Sequence, residues 1–498
     1  MSTSKETQGN SVFWAAVNLS KLSIGNGILA LPYAAYKGGL LFSPMGIICI
    51  AVWNVMSCFL MISCKRHCEG THYPKGVSSS YSRIAYSACG WWGVFFTDTA
   101  IVATLLGVCA SYQIAFAQFL KDIPGNPLSV YPESAQTTGF IYLSFFVVYP
   151  LSCPKNIGVL SKTSFAGLMC LLISIGVLIA FGLSSYGDGF QETETELTML
   201  PTSPSALTTF IGIAVFCFGL CTFAFPVEES MANRADFPRA VMWSMIFVCS
   251  FYVLMGDVLC LVYQYDPSGI SGNILQNLPK HSTTAAVVRT ALAMVCLVSF
   301  PLTMVPPAEM IEQMIIQSIR RWTRPSQPLV EEGGVSLPHY SSLTSESDVR
   351  QTELVEERHY TPEHFEEPSM MLRWSNRLFL VVMCTALAAH VPCFGLVVSL
   401  LGSFTVTILS FVLPPVLHLL IVIKPRMDYI REEEDGSASP VDHVGSAGDF
   451  LQITYGSMIR LQFYGDLFMA LCGCVGCIFT TIITAIDAYQ HFITLGHC

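Results

Sequence analysis

The stretch Ser23-Ile24-Gly25-Asn26-Gly27-Ile28-Leu29-Ala30-Leu31-Pro32 lies inside the first hydrophobic segment of the chain. Glycine in a helix interior costs about 1 kcal/mol relative to alanine, and proline removes a hydrogen-bond donor. Two glycines around an asparagine, followed by a proline, therefore predict a break in this segment. In hydrocarbon, the backbone groups freed by a break must face protein, water or a ligand. The stretch thus indicates a small cavity lined by exposed N–H and C=O groups; close helix packing through small residues is the alternative.

Apolar residues dominate the rest of the chain. They make up 52% of its 498 residues, and only 12% are charged, about half the share found in soluble domains. Runs of about 20 apolar residues, long enough to cross a bilayer, recur from end to end. The sequence predicts an all-α polytopic membrane protein with eleven spans, at 11–36, 40–63, 93–120, 138–153, 160–183, 206–230, 239–264, 286–318, 374–393, 394–423 and 464–488.

The basic residues predict how these spans are oriented in the lipid bilayer. With the N-terminus in the cytosol, 20 of the 25 Lys and Arg residues fall on the inner face and four on the outer face, while Lys21 lies within the membrane. This asymmetry follows the positive-inside rule. The net charge of −10 argues against a nucleic-acid partner. The 19 cysteines lie mostly within apolar spans, so we expect neither a disulfide framework nor a metal site.

The sixth span contains a second interruption. Its sequence Phe216-Cys217-Phe218-Gly219-Leu220-Cys221-Thr222-Phe223-Ala224-Phe225-Pro226 places a glycine and a proline inside an aromatic run. Interrupted helices at corresponding positions of two halves indicate a transporter site built from inverted repeats. Five spans precede the second break, so a five-plus-five inverted repeat with broken helices 1 and 6 and one added helix accounts for all eleven.

The spans and the polar stretches between them predict the domain organisation. In chain order, the expected parts are a cytosolic N-terminus (1–10), a transmembrane transporter domain (11–423) with repeats at 11–183 and 206–423, a cytosolic loop (424–463), and an eleventh helix with a luminal or extracellular C-terminus (464–498). A polar stretch inside the second repeat, 320–372, is expected to be a disordered cytosolic loop. Its Tyr340-Ser341-Ser342-Leu343 resembles a tyrosine-based sorting signal, which makes sorting or signalling proteins its expected partners.

Four groups of residues resemble the amino acid/auxin permease family, which includes proton-assisted, vesicular and sodium-coupled amino-acid transporters. They are Gly25 to Ala34, the Phe218-Gly219 to Glu229-Ser230-Met231 run, Ser299-Phe300-Pro301-Leu302 with Pro307-Ala308-Glu309, and Val391-Pro392 through Leu401-Gly402-Ser403 to Leu413-Pro414-Pro415. The resemblance covers nearly the whole chain apart from the two cytosolic loops. It implies a fold like that of bacterial leucine transporters and transport of neutral amino acids, most simply small ones, by alternating access.

An amino-acid zwitterion needs hydrogen-bond donors for its carboxylate and acceptors for its ammonium. The N–H groups of the first break, beside a half-helix N-terminus, suit the carboxylate, and carbonyls at both breaks suit the ammonium. Aromatic side chains would close the pocket, with ordinary packing as their alternative role. The expected substrate-binding residues are Ser23, Gly25, Asn26, Gly27, Ile28, Tyr112, Phe216, Cys217, Phe218 and Gly219.

Three residues bear on ion coupling. Lys21, four residues before Gly25, resembles the lysine of proton-assisted relatives, where a fixed ammonium would take the place of a sodium ion. The alternative is a structural lysine that snorkels or pairs with an acidic residue. Asn18 and Ser299 resemble the sodium-coupled pattern instead. The sequence therefore favours H⁺ over Na⁺ as the coupling ion, identifies no proton carrier, and implies no cofactor.

Ionisable residues elsewhere in the spans are predicted to be structural. His390 and His418 are interpreted as helix-packing residues, Asp98 as a hydrated residue near the interface, and Asp466 and Asp487 as peripheral to both repeats.

Other function classes fit the same fold. A sensor would bind an amino acid with little flux and signal through the 320–372 loop, whereas a channel would need a continuous polar lining that the spans lack. No paired intramembrane carboxylates, HExxH sequence or nucleophile constellation indicates an enzyme. Vacuolar or lysosomal, vesicular and plasma membranes are all compatible with the sequence.

Overall fold

The computed structural model describes residues 10–71, 73, 74, 77, 79–154, 158–186, 198–219, 224–264, 266, 269–280, 282–323, 368–391, 393–428 and 447–495. These residues are almost entirely helical, and their one β-bridge pairs Asn10 with Met231. The 320–372 loop with its sorting-signal resemblance lies largely outside the described residues. The all-α prediction is confirmed.

Thirteen α-helices follow one another through the described parts of the chain. They are α1 (Val12–Ser23), α2 (Leu31–Gly38), α3 (Phe42–His67), α4 (Ser80–Lys121), α5 (Glu133–Ser152), α6 (Gly158–Tyr186), α7 (Pro204–Cys217), α8 (Ala224–Glu229), α9 (Phe237–Tyr263), α10 (Thr283–Thr323), α11 (Met370–His390), α12 (Phe394–Asp428) and α13 (Ala447–Leu495). Helix α12 includes π-helical turns.

Length and hydropathy make seven of the described helices suitable for crossing a membrane. Their spans are Phe42–His67, Ser80–Lys121, Gly167–Ser184, Arg234–Tyr263, Thr283–Ile316, Phe394–Asp428 and Met458–Gln490. Pro204–Cys217 is a shorter apolar helix. The chain is therefore a multi-pass helical membrane protein, and helices also occupy the positions of the other predicted spans.

Both predicted breaks are present. Helix α1 ends at Ser23, Gly25 is extended, and a 3-10 turn, Asn26–Ala30, leads into α2. Pro32 lies in the first turn of α2, where a missing N–H removes no helical hydrogen bond. Helix α7 ends at Cys217, and the next helix begins at Ala224.

Two boundaries differ from the prediction. Helix α4 begins at Ser80 rather than near 93, because Gly90 adopts φ 60° and joins a short helical leg to the main helix. Ser79 caps this leg by accepting a hydrogen bond from the Ser82 N–H, and the Ser82 hydroxyl donates to the buried Asp98 carboxylate. Helix α13 begins at Ala447, inside the stretch predicted as a loop up to 463.

Three sequence expectations outside the breaks need correction. Asp98 on α4 is buried rather than hydrated, and Ser82 donates to its carboxylate. Asp466 on α13 is buried rather than peripheral: its Oδ2 lies 2.5 Å from Nδ1 of the buried His418 on α12. This pair attaches α13 to α12. Cys393, just before α12, is disulfide-bonded.

Candidate functional site

A cavity of about 350 Å³ lies between the two helix breaks. Pockets of this size fall within the range of small-molecule sites. The predicted residues that line it are Lys21, Ser23, Gly25, Asn26, Gly27, Tyr112, Phe216, Cys217, Gly219 and Ser299. The structure thus brings together residues from α1, α4, α7 and α10 that the sequence separates by up to 278 positions. Asn18, Ile28 and Phe218 are not part of the lining.

The first break presents backbone donors to this cavity. The first N–H groups of a helical turn have no acceptor within it, and the N–H groups of Asn26 and Gly27 hold this position in the Asn26–Ala30 turn. The Ile28 N–H is engaged, because it donates to the Gly25 carbonyl at 3.4 Å. The Gly25 N–H is engaged as well, because it donates to the Ser23 carbonyl at 2.9 Å. Of the four N–H groups expected to be free at this break, those of Gly25 and Ile28 are therefore not available to a ligand. The Asn26 side chain is fixed to α4 through a 3.1 Å hydrogen bond from its Nδ2 to Ser111 Oγ.

The two glycines of this break face different surroundings. A methyl group added at Gly25 would meet no atom within 4 Å, so this residue opens onto the cavity. A methyl group added at Gly27 would lie 2.8 Å from the Phe216 ring and 3.0 Å from Cys217 Sγ. Glycine at position 27 therefore allows the two breaks to pack against each other.

Tyr252 on α9 joins the two breaks and was missed by the sequence analysis. Its hydroxyl donates to the Ser23 carbonyl at 2.6 Å and lies 3.1 Å from the Cys217 carbonyl. The whole side chain is buried, and its ring meets the Phe218 ring edge-on at 5.1 Å. A tyrosine within an apolar span needs a partner for its hydroxyl, and that requirement was the available signal. Phe218 therefore packs against Tyr252 and does not line the cavity, whereas Phe216 does.

The opposite wall of the cavity carries hydroxyl groups. The Tyr112 hydroxyl interacts with Ser299 and Thr303 on α10, and Thr303 Oγ1 donates to the Ser299 carbonyl at 3.1 Å. Thr104 and Thr303 are polar lining residues that the sequence analysis did not identify. Tyr112, which was predicted to close the substrate pocket, and Ser299, which was predicted to act in ion coupling, thus lie on the same wall of the cavity.

Lys21 lies one turn before the first break and lines the same cavity. Within the described part of the chain, its ammonium forms neither an ion pair nor a hydrogen bond. The alternative role of Lys21, in which it pairs with an acidic residue, is therefore not supported by any described residue. Asn18, one turn earlier on α1, is half-buried outside the lining.

Charged groups hold the end of the molecule at which α1 begins, which we call the N-terminal side. Lys65 at the end of α3 pairs with Glu228 at 2.9 Å and with Glu229 at 3.0 Å, both on α8. The Ser80 hydroxyl at the start of α4 donates to Glu229 at 2.9 Å. These contacts form the Lys65 latch, which fixes the second half of the interrupted helix to α3 and α4.

A buried arginine holds the other end, the opposite side. Arg289 on α10 is 1% exposed and donates to four backbone carbonyls. They belong to Asp122, Leu275, Leu278 and Pro279. The turn Ile274–Asn277 that it holds packs against the Asn26–Ala30 turn of the first break. We call this unit the Arg289 cover.

Interrupted helices that face one cavity define a class of secondary transporters. Along the whole chain, the fold is similar to the solved inward-facing structure of Mhp1, with a TM-score of 0.51 and 12% identity over 97% of this chain and 92% of that one. Residues 8–428 match the family described as transmembrane amino acid transporter protein. The chain belongs to this family, the amino acid/auxin permease group; it is a transmembrane amino acid transporter and not an enzyme.

Curated relatives of this family are similar to the chain at low identity. Amino acid transporter ANT1 of Arabidopsis thaliana is 24% identical over 80% of this chain and 82% of its own length. Vacuolar amino acid transporter 3 of Saccharomyces cerevisiae is 24% identical over 81% of this chain, which spans 51% of that longer protein. The human vesicular inhibitory amino acid transporter is 25% identical over 81% of this chain and 68% of its length.

Proposed function

We propose that the protein is a secondary active transporter of small neutral amino acids that couples uptake to H⁺. The observation that carries this proposal is the shared cavity: donors and acceptors of two broken helices line the same space as Lys21, which has no partner among the described residues. The family match supplies amino acid transport, and the residues of this cavity favour the proposed substrate class and coupling ion.

The proposed binding mode follows the two ends of the zwitterion. The N–H groups of Asn26 and Gly27 receive the carboxylate beside Gly25, while the Cys217 carbonyl accepts from the ammonium. This carbonyl has a second lone pair beside the one that faces Tyr252. The Ser23 carbonyl already accepts from the Tyr252 hydroxyl at 2.6 Å and from the Gly25 N–H at 2.9 Å, so it shapes the site without binding the ammonium. Phe216 and Tyr112 close the space around the side chain. The absence of any charged group except Lys21 among the described lining residues favours a neutral substrate.

The alternating-access mechanism rests on a proposed five-plus-five inverted repeat. In this arrangement the eleven spans comprise repeats at 11–183 and 206–423 and the added helix α13, with the N-terminal side in the cytosol. The two interruptions at corresponding positions support it. The names of the yeast and human relatives favour a vacuolar or vesicular membrane.

Lys21 supports H⁺ coupling because a fixed ammonium beside the break removes the need for a bound sodium ion. A sodium-coupled transporter is the second candidate, and Ser299 favours it, since its side chain lines the cavity opposite the first break. Asn18 lies outside the lining, which weakens that alternative.

The test is uptake of labelled alanine into vesicles containing the purified protein, under a pH gradient and then under a sodium gradient. Uptake that requires only the pH gradient, and that Lys21→Asn alters, supports the proposal. Lys37→Asn is the matched control, because Lys37 lies on α2 in the same interrupted segment but outside the cavity. Uptake that requires sodium contradicts H⁺ coupling, and alanine binding without uptake under either gradient supports a sensor.

The site itself is tested at Gly25. Gly25→Leu places an isobutyl group in the open space and is expected to reduce uptake more than tenfold, whereas Gly25→Ala leaves room for substrate and retains most of it. Normal alanine uptake by a Gly25→Leu protein that reaches the membrane would show that the substrate does not bind beside Gly25.

A further inference from the structure

A second cavity, of about 470 Å³, lies at the N-terminal side of the molecule, away from the transport cavity. It is formed by the end of α3, the start of α9 and the end of α12. Its described lining residues are Phe59, Ile62, Ser63, Arg66, His67, Pro238, Val422 and Arg426. None of the residues that form the transport cavity is among them, so this is a separate site.

The rim of this cavity is cationic. Arg66, His67 and Arg426 are exposed, and among the described residues none of the three has an ion pair or a hydrogen bond from its side chain. Nearby basic residues behave differently: Lys65 is held by Glu228, and Arg239 by Asp236. No described residue lining the cavity is acidic. Arg66 on α3 and Arg426 on α12 therefore line one cavity, and no described residue accepts a hydrogen bond from either guanidinium.

The wall below this rim is apolar. Phe59 and Ile62 lie one to two turns from the end of α3, toward the middle of the membrane, and Val422 lies one turn before Arg426 on α12. An arginine guanidinium matches phosphate geometry through paired N–H donors. A site with donors for phosphate at the membrane surface and an apolar wall toward the bilayer interior suits an amphiphile with an anionic head.

We propose that this cavity, the Arg66–Arg426 site, binds an anionic phospholipid from the cytosolic leaflet. Arg66 and Arg426 hold the phosphate, His67 and Ser63 donate at its edge, and an acyl chain lies against the half-buried Phe59. The cytosolic position rests on the proposed orientation, in which basic pockets between helices face the anionic leaflet. Ile62 and Val422 are buried by protein, so the half-buried Phe59 is the apolar surface that an acyl chain would cover and that favours a lipid over a free phosphate.

Occupancy of this site would bridge α3 and α12. Lys65, the residue before Arg66, holds α8, the second half of the interrupted helix. A lipid bound to Arg66 therefore restrains the same turn of α3 that anchors α8. Because the lipid binds the folded arrangement of these helices, its binding raises the midpoint of thermal unfolding.

The experiment measures lipid binding by the purified full-length protein in neutral detergent, using native mass spectrometry and thermal unfolding. The probes are phosphatidic acid, phosphatidylcholine and glycerol 3-phosphate. We expect retained phosphatidic acid and a raised melting temperature, with little effect of the other two. Arg66→Gln and Arg426→Gln are each expected to weaken binding roughly fivefold, and the double variant roughly 25-fold. Lys424→Gln is the matched control, because Lys424 is exposed on α12 but does not line the site.

Three results would overturn the proposal. If the protein retained phosphatidylcholine as well as phosphatidic acid, the net charge of the lipid would not govern binding. If it bound glycerol 3-phosphate with the same affinity as phosphatidic acid, the site would belong to a soluble phosphate. Equal weakening by Lys424→Gln would assign the effect to diffuse surface charge. Arg426→Glu provides a second test, since it should abolish binding, and melting in neutral detergent shows whether each variant folds. These readouts need no transport, so failure of the proposed function would leave them unaffected.

Discussion

The two sides of the transport cavity are held by different physical means. On the opposite side, the Arg289 guanidinium is almost completely buried and its acceptors are neutral backbone carbonyls. On the N-terminal side, Lys65 and Glu229 keep 16% and 46% of their side chains exposed, and the partners carry opposite charges. A buried guanidinium cannot exchange its acceptors for water, whereas a partly exposed ion pair can. We infer that the Arg289 cover is the more rigid unit and that the Lys65 latch opens more easily, at its contact with the exposed Glu229.

The first prediction tests the rigid side and has the largest expected effect. Arg289→Leu leaves four carbonyls without their donor, and at about 1–3 kcal/mol for each buried unpaired acceptor the total is about 3–5 kcal/mol or more. We expect a loss of this order in the free energy of unfolding, measured by thermal or denaturant unfolding in detergent. Arg239→Leu is the control, since its side chain is 77% exposed and its loss should cost less than about 1 kcal/mol. If Arg289→Leu and Arg239→Leu lowered the free energy of unfolding equally, burial would not distinguish the two sides of the cavity.

The second prediction addresses the Lys65 latch. Lys65→Gln leaves Glu228, whose side chain is 5% exposed, without its cation, and we expect a loss of about 2 kcal/mol in unfolding free energy. Glu228→Gln in the same protein should recover part of this loss, because it removes the unpaired charge. A double-mutant cycle measures the coupling. Additive effects of the two substitutions would mean that the contact stores no interaction energy.

The third prediction concerns the centre, where Tyr252 contacts both breaks. Tyr252→Phe removes one hydroxyl and should weaken alanine binding about tenfold, in line with the 1–1.5 kcal/mol of a buried hydrogen bond. Tyr263→Phe is the matched control on the same helix, because the Tyr263 hydroxyl donates at 3.0 Å to Leu178, far from the breaks. Unchanged binding by Tyr252→Phe would show that the breaks keep their geometry without this bond.

The smallest effect is expected at the rim of the Arg289 cover. A hydrogen bond from Lys280 and the charges of Lys121 and Lys280 lower the pKa of Glu133 below its ordinary value of 4.5. A group whose folded pKa is lowered adds stability above the unfolded pKa and loses it as the pH falls through the folded pKa. The Glu133 side chain is 67% exposed, so its contribution stays below about 0.5 kcal/mol. The melting temperatures of the wild-type and Glu133→Gln proteins should therefore become equal below pH 4.5 and differ slightly at pH 7. A difference in melting temperature that is larger at low pH than at pH 7 would contradict the predicted direction of the pKa shift.

The sequence predicted the breaks because Gly25, Gly27 and Gly219 carry their own local signal: a helix cannot accommodate such residues cheaply. It also singled out Lys21 and Ser299, through the family resemblance, and both line the cavity between the breaks. The need of the Tyr252 hydroxyl for a partner could be read from the sequence, but which carbonyls it contacts, and the burial of Phe218, depend on how α9 packs against the breaks. The early start of α4 was missed for a related reason, because Gly90 with positive φ redirects a helix without ending it.

The pairing of His418 with Asp466 could not be predicted from the sequence either. Each residue alone resembles an ordinary polar residue in an apolar span, and only the contact between α12 and α13 reveals the pair. Long-range contacts of this kind have no periodic pattern in the sequence, so composition and spacing carry no information about them.

The Tyr252 hydroxyl has a single proton but two carbonyl neighbours, one from each interrupted helix. In the proposed alternating-access mechanism the two helices change their distance, and rotation of the Tyr252 O–H bond would then direct the hydrogen bond from one carbonyl to the other. One hydrogen bond would be replaced by another of the same kind, so the exchange would add little to the activation barrier. A link of this kind joins the two helices without fixing the distance between them.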